Sequence, residues 1–174
     1  MRKKLFPMAI ILFVISGIMF VACDKDKQNS PVSPDLTKVA TIKGLVYANL
    51  TERNDTLPQL PANGVKKEFA PAGTLLHVRV DATQYSSTAS GYFIYTATVG
   101  SNGDYSIEIP TRIQGVAVEI MPIDFEYDKV VGNWSWAGTE YIWEGKSERT
   151  IYTAAIVNVG GLVPDGVKII DINY

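Results

Sequence analysis

The residues best suited to recognition chemistry lie at positions 133–145, NWSWAGTEYIWEG. All three tryptophans of the chain, Trp134, Trp136 and Trp143, fall in this stretch, with Tyr141 between them. Sugar rings stack on flat aromatic faces, and Asn133 and Glu140 are polar groups that can hold hydroxyls. Trp134 and Trp136 are two apart, so they share a face if the segment is extended. Two readings stay open. The rings form a ligand-binding platform, or they belong to a hairpin that folds over one end of the domain and buries a hydrophobic edge. Two exposed, coplanar rings favour the first reading, and buried rings end it.

Other chemistry-bearing residues are thinner on the ground. Asp124, Glu126 and Asp128 alternate along one face, and calcium takes six to eight oxygens. No glycine-turned loop of calcium-binding spacing surrounds them, so a solvated strand edge that discourages aggregation is the expected reading. His77 is the only histidine, on the outward face of a strand, and no G-x-S-x-G occurs. One histidine and one cysteine do not make the usual zinc cluster. The expectation is a protein that is not an enzyme and carries no cofactor and no metal.

Elements rich in Tyr, Val, Ile and Thr must position these residues. The chain has 174 residues, 47% of them hydrophobic, with nine tyrosines. That length suits one domain with appendages, and that composition suits strands. The net charge is −2, and residues 1–22 hold three basic groups and no acid, leaving 13 basic against 18 acidic groups in the remainder. A remainder that is acidic overall offers no basic patch to displace counterions from phosphates, which argues against nucleic acid as a partner. A single cysteine, Cys23, excludes an intramolecular disulfide.

The amino terminus reads as an address. Arg2, Lys3 and Lys4 precede an almost unbroken apolar run over residues 5–21, and Ala22 precedes Cys23. A basic start, an apolar segment and a small residue at the break describe a secretory signal. Phe20-Val21-Ala22-Cys23 resembles a bacterial lipobox, with Phe20 in place of the usual aliphatic residue. The resemblance implies cleavage before Cys23 and its lipidation, hence a membrane anchor, since several acyl chains hold durably where one does not. Asp24-Lys25-Asp26-Lys27-Gln28 resembles the export signals of Bacteroidetes surface lipoproteins, and an ordinary solvated tether explains it equally. The expected organisation is a signal peptide over residues 1–22, a disordered tether over 23–38 and a β domain over 39–174.

Within the domain, strands are expected over residues 39–50, 73–81, 114–123, 149–159 and 167–173. Two more flank a turn within residues 91–110. Apolar faces are Ile42, Gly44 and Val46; Leu76, Val78 and Val80; Phe93, Tyr95, Ala97 and Val99; Tyr105, Ile107 and Ile109; and Val116, Val118 and Ile120. Across the turn, matching faces put Val99 opposite Tyr105 and Ala97 opposite Ile107. That requires an odd loop, Ser101-Asn102-Gly103, with Gly103 left-handed. Residues 51–71 form a long polar loop, 124–148 break the alternation, and Gly160-Gly161 with Pro164, Asp165 and Gly166 marks a turn. Seven strands with turns between most of them predict an all-β, seven-stranded antiparallel Greek-key β-sandwich, prealbumin-like or Ig-like.

Gly44-Leu45-Val46, Ala72-Gly73-Thr74 and the Gly103-Asp104-Tyr105-Ser106-Ile107 run together resemble the carboxypeptidase regulatory-like domain over residues 39–123. That resemblance implies a prealbumin-like sandwich without catalytic residues, in a structural or partner-contacting role. Lys43, Glu119 and Asn173 stand in the order of the amide-forming triad that a similar adhesin sandwich uses. Asp55-Thr56-Leu57 resembles a Bacteroidetes O-glycosylation acceptor. Together these readings imply an outer-membrane lipoprotein whose domain binds or supports a polysaccharide or surface-protein partner. The alternative is a structural or adhesive subunit of a surface assembly.

Overall fold

A computed structural model describes residues 37–55 and 68–174. Cys23, the signal segment and nearly all of the tether lie outside the described residues, as do two residues of the 55–57 acceptor.

Alternation builds the core as the sequence leads one to expect. Strand β1 (Val39–Tyr47) buries Ile42 and Val46, β2 (Leu75–Asp81) buries Leu76, Val78 and Val80, and β4 (Asp104–Pro110) buries Tyr105, Ile107 and Ile109. Strand β5 (Val116–Pro122) adds Val116, Val118 and Ile120, and β3 (Tyr92–Thr98) adds Ala97. These side chains meet in one hydrophobic cluster. Its outward partners, such as Lys43, Thr96, Ser106 and Glu108, are wet. Each fully buried aliphatic side chain contributes about 1.5–3 kcal/mol relative to exposure.

The wiring is not the expected one. The described residues form ten strands in three sheets, and the seven-stranded antiparallel Greek-key arrangement does not occur. One four-stranded sheet has the order β3-β2-β5-β8, with β8 at Val157–Leu162. The second centres on β1, flanked by β4 on one side and by β9 (Val167–Ile169) and β10 (Ile172–Asn173) on the other. Both of those last pairings are parallel. The third sheet is a ribbon of β6 (Phe125–Trp136) and β7 (Tyr141–Tyr152), which pair over their whole length. Its twelve paired positions include Phe125 opposite Tyr152 at the base and Trp136 opposite Tyr141 at the tip.

The expected hairpin is a corner between sheets. Strand β3 pairs with β2, and β4 pairs with β1, so Val99 and Ala97 do not oppose Tyr105 and Ile107. Face matching shows that both arms turn apolar side chains toward a common core, which two facing sheets satisfy as well as one. The turn itself is as read. Gly103 has φ 75°, its N–H bonds to the Gly100 carbonyl at 3.1 Å, and the Phe69 ring covers it so closely that a Cβ would sit 2.3 Å from Cδ1. Its carbonyl accepts from Val46 N at 2.8 Å, tying the corner to β1.

The carboxy-terminal strand also divides. Between β9 and β10 the chain crosses close over Gly44, where an added Cβ would lie 1.9 Å from the Ile170 carbonyl oxygen. Ile170 N donates to Lys43 O at 2.9 Å and Leu45 N donates to Asp171 Oδ1 at 2.9 Å. The amide triad is not assembled. Lys43 pairs with Ile169 while Asn173 pairs with Tyr47, four residues along the strand or roughly 13 Å away. Glu119 stands in the other sheet, ion-paired with Arg79.

Candidate functional site: the aromatic ribbon

Pairing of β6 with β7 sets Trp134 opposite Trp143 and Trp136 opposite Tyr141 on one face. The first pair has ring centroids 5.5 Å apart at 60°, the second 5.1 Å apart at 61°. Both are edge-to-face contacts, worth about 0.5–1.5 kcal/mol per pair beyond area burial. Gly132 and Gly145 pair with each other one step below. A Cβ on Gly145 would lie 2.2 Å from the Trp143 indole nitrogen, so the bare backbone is what gives that ring its place.

Residues 49–55 hold the root of the ribbon along the β6 edge. Val130 N donates to Leu50 O at 3.0 Å, and Gly132 N donates to Glu52 Oε2 at 3.3 Å. Lys129 Nζ pairs with Glu52 Oε1 at 2.8 Å. The short 3-10 turn Glu52–Asn54 presents the Arg53 carbonyl to the Trp134 indole N–H at 3.3 Å, with the Arg53 guanidinium 5.5 Å from the ring centre. Glu68 fixes this segment, accepting from Leu50 N and Thr51 N at 2.8 Å each and from Asn54 Nδ2 at 3.1 Å. The Lys129 ammonium holds the Glu52 carboxyl below its ordinary range, and Glu52 raises Lys129 in turn. At the base, Phe125 stacks on Tyr152 at 5.0 Å and meets Tyr174 edge-on at 4.8 Å.

The structure therefore joins four of the six expected site residues. Trp134, Trp136, Tyr141 and Trp143 share a face, while Asn133 is on the opposite one and Glu140 is in the turn, where its carbonyl accepts from Ala137 N at 2.9 Å. Neither outcome anticipated for the rings is met in full. Trp134 and Trp143 are half-buried; Trp136 and Tyr141 are 59% and 49% exposed but meet edge-to-face, so they make a cleft-like pair and not a coplanar platform.

Two of the three acidic residues, Glu126 and Asp128, are spoken for. Arg149 lies opposite Asp128 and bonds Glu126 Oε2 at 2.8 Å and Asp128 Oδ1 at 3.4 Å, while Asp124 lies before β6. No group of three or more His, Cys, Asp or Glu side chains among the described residues is placed to hold a metal. His77 lies between Thr96 and Met121 on neighbouring strands. The sequence did not reveal the grip of residues 49–55 on β6, because a polar loop gives no sign of what it touches.

No family model matches the chain, and no curated protein matches it. Among solved structures it is similar to the crystal structure of a Pseudomonas aeruginosa protein provisionally described as carbohydrate-binding. The two are 13% identical, the match covers 82% of this chain and 92% of the other, and the TM-score is 0.32. A likeness at that level assigns no residue and no ligand here.

Proposed function

We propose that this chain is a non-catalytic contact module, held at the outer membrane through lipidated Cys23, whose aromatic ribbon tip docks on a surface-protein partner. One observation carries the reading. Trp136 and Tyr141 are large rings kept out of the core at the far end of a twelve-residue ribbon. An indole left in water forgoes several kcal/mol of burial, which a partner recovers on covering it. Exposed Trp and Tyr that are already ordered by cross-strand packing are the residue types that dominate protein interfaces. The outer edge of β7 is a poorer docking site, because Lys146, Glu148 and Arg149 mark it with charge. Trp136 also supports a second reading, a sugar ring stacked on its exposed indole. The absence of Asn133 from that face weighs against it.

A photo-crosslinking residue in place of Thr139, at the ribbon turn, tests the proposal in the native cell envelope, with one in place of Glu108 on β4 as the control. A discrete protein adduct from position 139 alone is expected. Equal adducts from both positions, or none from either, overturn the reading. A glycan array with Trp136→Ala as control tests the sugar alternative, which fails if binding is absent or unchanged by the substitution.

A further inference from the structure

A second site lies on the outer face of the β3-β2-β5-β8 sheet, and it does not depend on the ribbon reading. Register alone brings its members together: Arg79 is opposite Glu119, Glu119 is opposite Asn158, and Asp81 is opposite Tyr92. These side chains border a hollow of about 330 Å³, within the range of small-molecule sites.

The hollow is built, and its construction follows from an irregularity in the sheet. Between Val116/Leu162 and Val118/Val159 the register slips by one residue, a bulge placed at Gly160-Gly161. On the other side β2 leaves the sheet after Asp81 into the 3-10 turn Ala82–Gln84. The Gln84 amide then takes over the pairing of Ala117, donating to its carbonyl at 2.7 Å and accepting from its N–H at 2.7 Å. Asp81 Oδ1 fixes the same turn by accepting from Thr83 N at 2.8 Å and Thr83 Oγ1 at 2.7 Å. Arg79 is held by Glu119 through Nε and lies over the Tyr92 ring, 4.8 Å from its centre. Gly160 forms an open part of the wall, since an added Cβ there meets nothing within 4 Å.

Three sets of hydrogen-bonding groups remain unspent among the described residues: the terminal N–H groups of Arg79, Asp81 Oδ2 and the whole Asn158 amide. That is a donor fork, an acceptor and a group that does both. Charge narrows the ligand. Glu119 neutralises Arg79, so Asp81 leaves the site with one net negative charge, which disfavours carboxylates and phosphates. One free carboxylate oxygen does not furnish the six to eight oxygens that a calcium ion needs. What matches is a neutral, ring-sized ligand carrying several hydroxyls, each able to donate and accept.

We propose that this hollow binds a neutral polyhydroxylated ligand of the saccharide class, held by Arg79, Asp81 and Asn158 beside the Tyr92 ring. The test is titration of the ¹⁵N-labelled protein with methyl glycosides of glucose, galactose, mannose and N-acetylglucosamine, with inorganic phosphate and acetate as anionic controls. Amide shifts clustered at residues 79–84, 117–119 and 158–160 are expected with at least one glycoside, and none with the anions. Asn158→Leu should weaken the response at least tenfold. Gly160→Trp should abolish it by filling the hollow, with an unchanged melting temperature in both. No response to any glycoside by the folded protein, a larger response to the anions, or a response that survives Gly160→Trp overturns the proposal. So do shifts confined to residues 134–143, which report sugar binding at the ribbon instead.

Discussion

The two facing sheets and the ribbon are both all-β, yet different forces hold them. In the sheets, Ile42, Leu76, Val80, Ile109 and Ile120 are fully buried, and stability comes from apolar area removed from water. In the ribbon none of the residues of β6 is buried, and of β7 only Tyr152 is. Order there comes from main-chain pairing, two edge-to-face ring pairs and the Glu52–Lys129 clamp. A segment of that kind opens more easily than the core and is free to present its surface. The difference separates what keeps the molecule folded from what it offers to a partner.

The largest expected effect breaks the first half of this contrast. Ile109→Ala should cost about 2–5 kcal/mol in chemical denaturation and take the ribbon down with the core, because it opens a cavity where the two sheets meet. Gly145→Val attacks only the second half. Its branched side chain would collide with the Trp143 indole, so near-UV circular dichroism of the tryptophans should collapse. The free energy of the main unfolding transition should change by about 0.5 kcal/mol or less, the range of surface substitutions. A single cooperative loss of both signals would show that ribbon and core are one unit. Lys129→Met with Glu52→Gln should give a smaller loss, about 1 kcal/mol or less for a partly exposed pair, seen as faster amide exchange over residues 125–136.

pH separates the regions in the same sense. The folded-state value of Glu52 is depressed, so its contribution is present above the unfolded value of about 4.5 and is lost as pH falls through the lower folded value. Acid should therefore loosen the ribbon root while the apolar core persists, which tryptophan spectra followed from pH 6 down to pH 2 would show. Alkali acts on the core as well. Burial pushes Tyr105 up to about 12, and its hydroxyl donates to Ile170 O at 2.8 Å. Tyr174 is likewise raised to about 12 by burial, donating to Ile123 O at 2.8 Å. Both contributions are complete below pH 10 and are lost as pH rises toward 12.

How much of this was legible in the sequence follows the same division. Where one strand face is buried, alternation found it, and β1 to β5 lie within the expected segments. Where a ribbon is wetted on both faces, nothing enforces alternation, and residues 124–148 read as a break in the pattern although most of them form β6 and β7. Residues 149–159, expected as one strand, span the end of β7 and the start of β8, which belong to different sheets. Of the residues read as one turn, Gly160 and Gly161 form a bulge inside β8, and the turn itself follows it, with Asp165 at φ 60° and Gly166 N donating to Val163 O at 3.0 Å. The parallel pairing of β9 and β10 with β1 leaves no hairpin signal, so the carboxy-terminal strand was placed but not its partner. The clustering of Trp134, Trp136, Tyr141 and Trp143 was readable from spacing. The outer-face hollow was not, because it depends on cross-strand register among four strands.

The central claim is that Trp136 and Tyr141 serve contact and not folding. The most direct measurement is the yield of the position-139 crosslink in the double variant Trp136→Ala, Tyr141→Ala, taken alongside its thermal midpoint. The account predicts at least a tenfold loss of adduct, with stability changed by no more than the roughly 0.5–1.5 kcal/mol that one edge-to-face ring pair contributes. Adduct at the parental yield, or a chain that no longer folds, would contradict it.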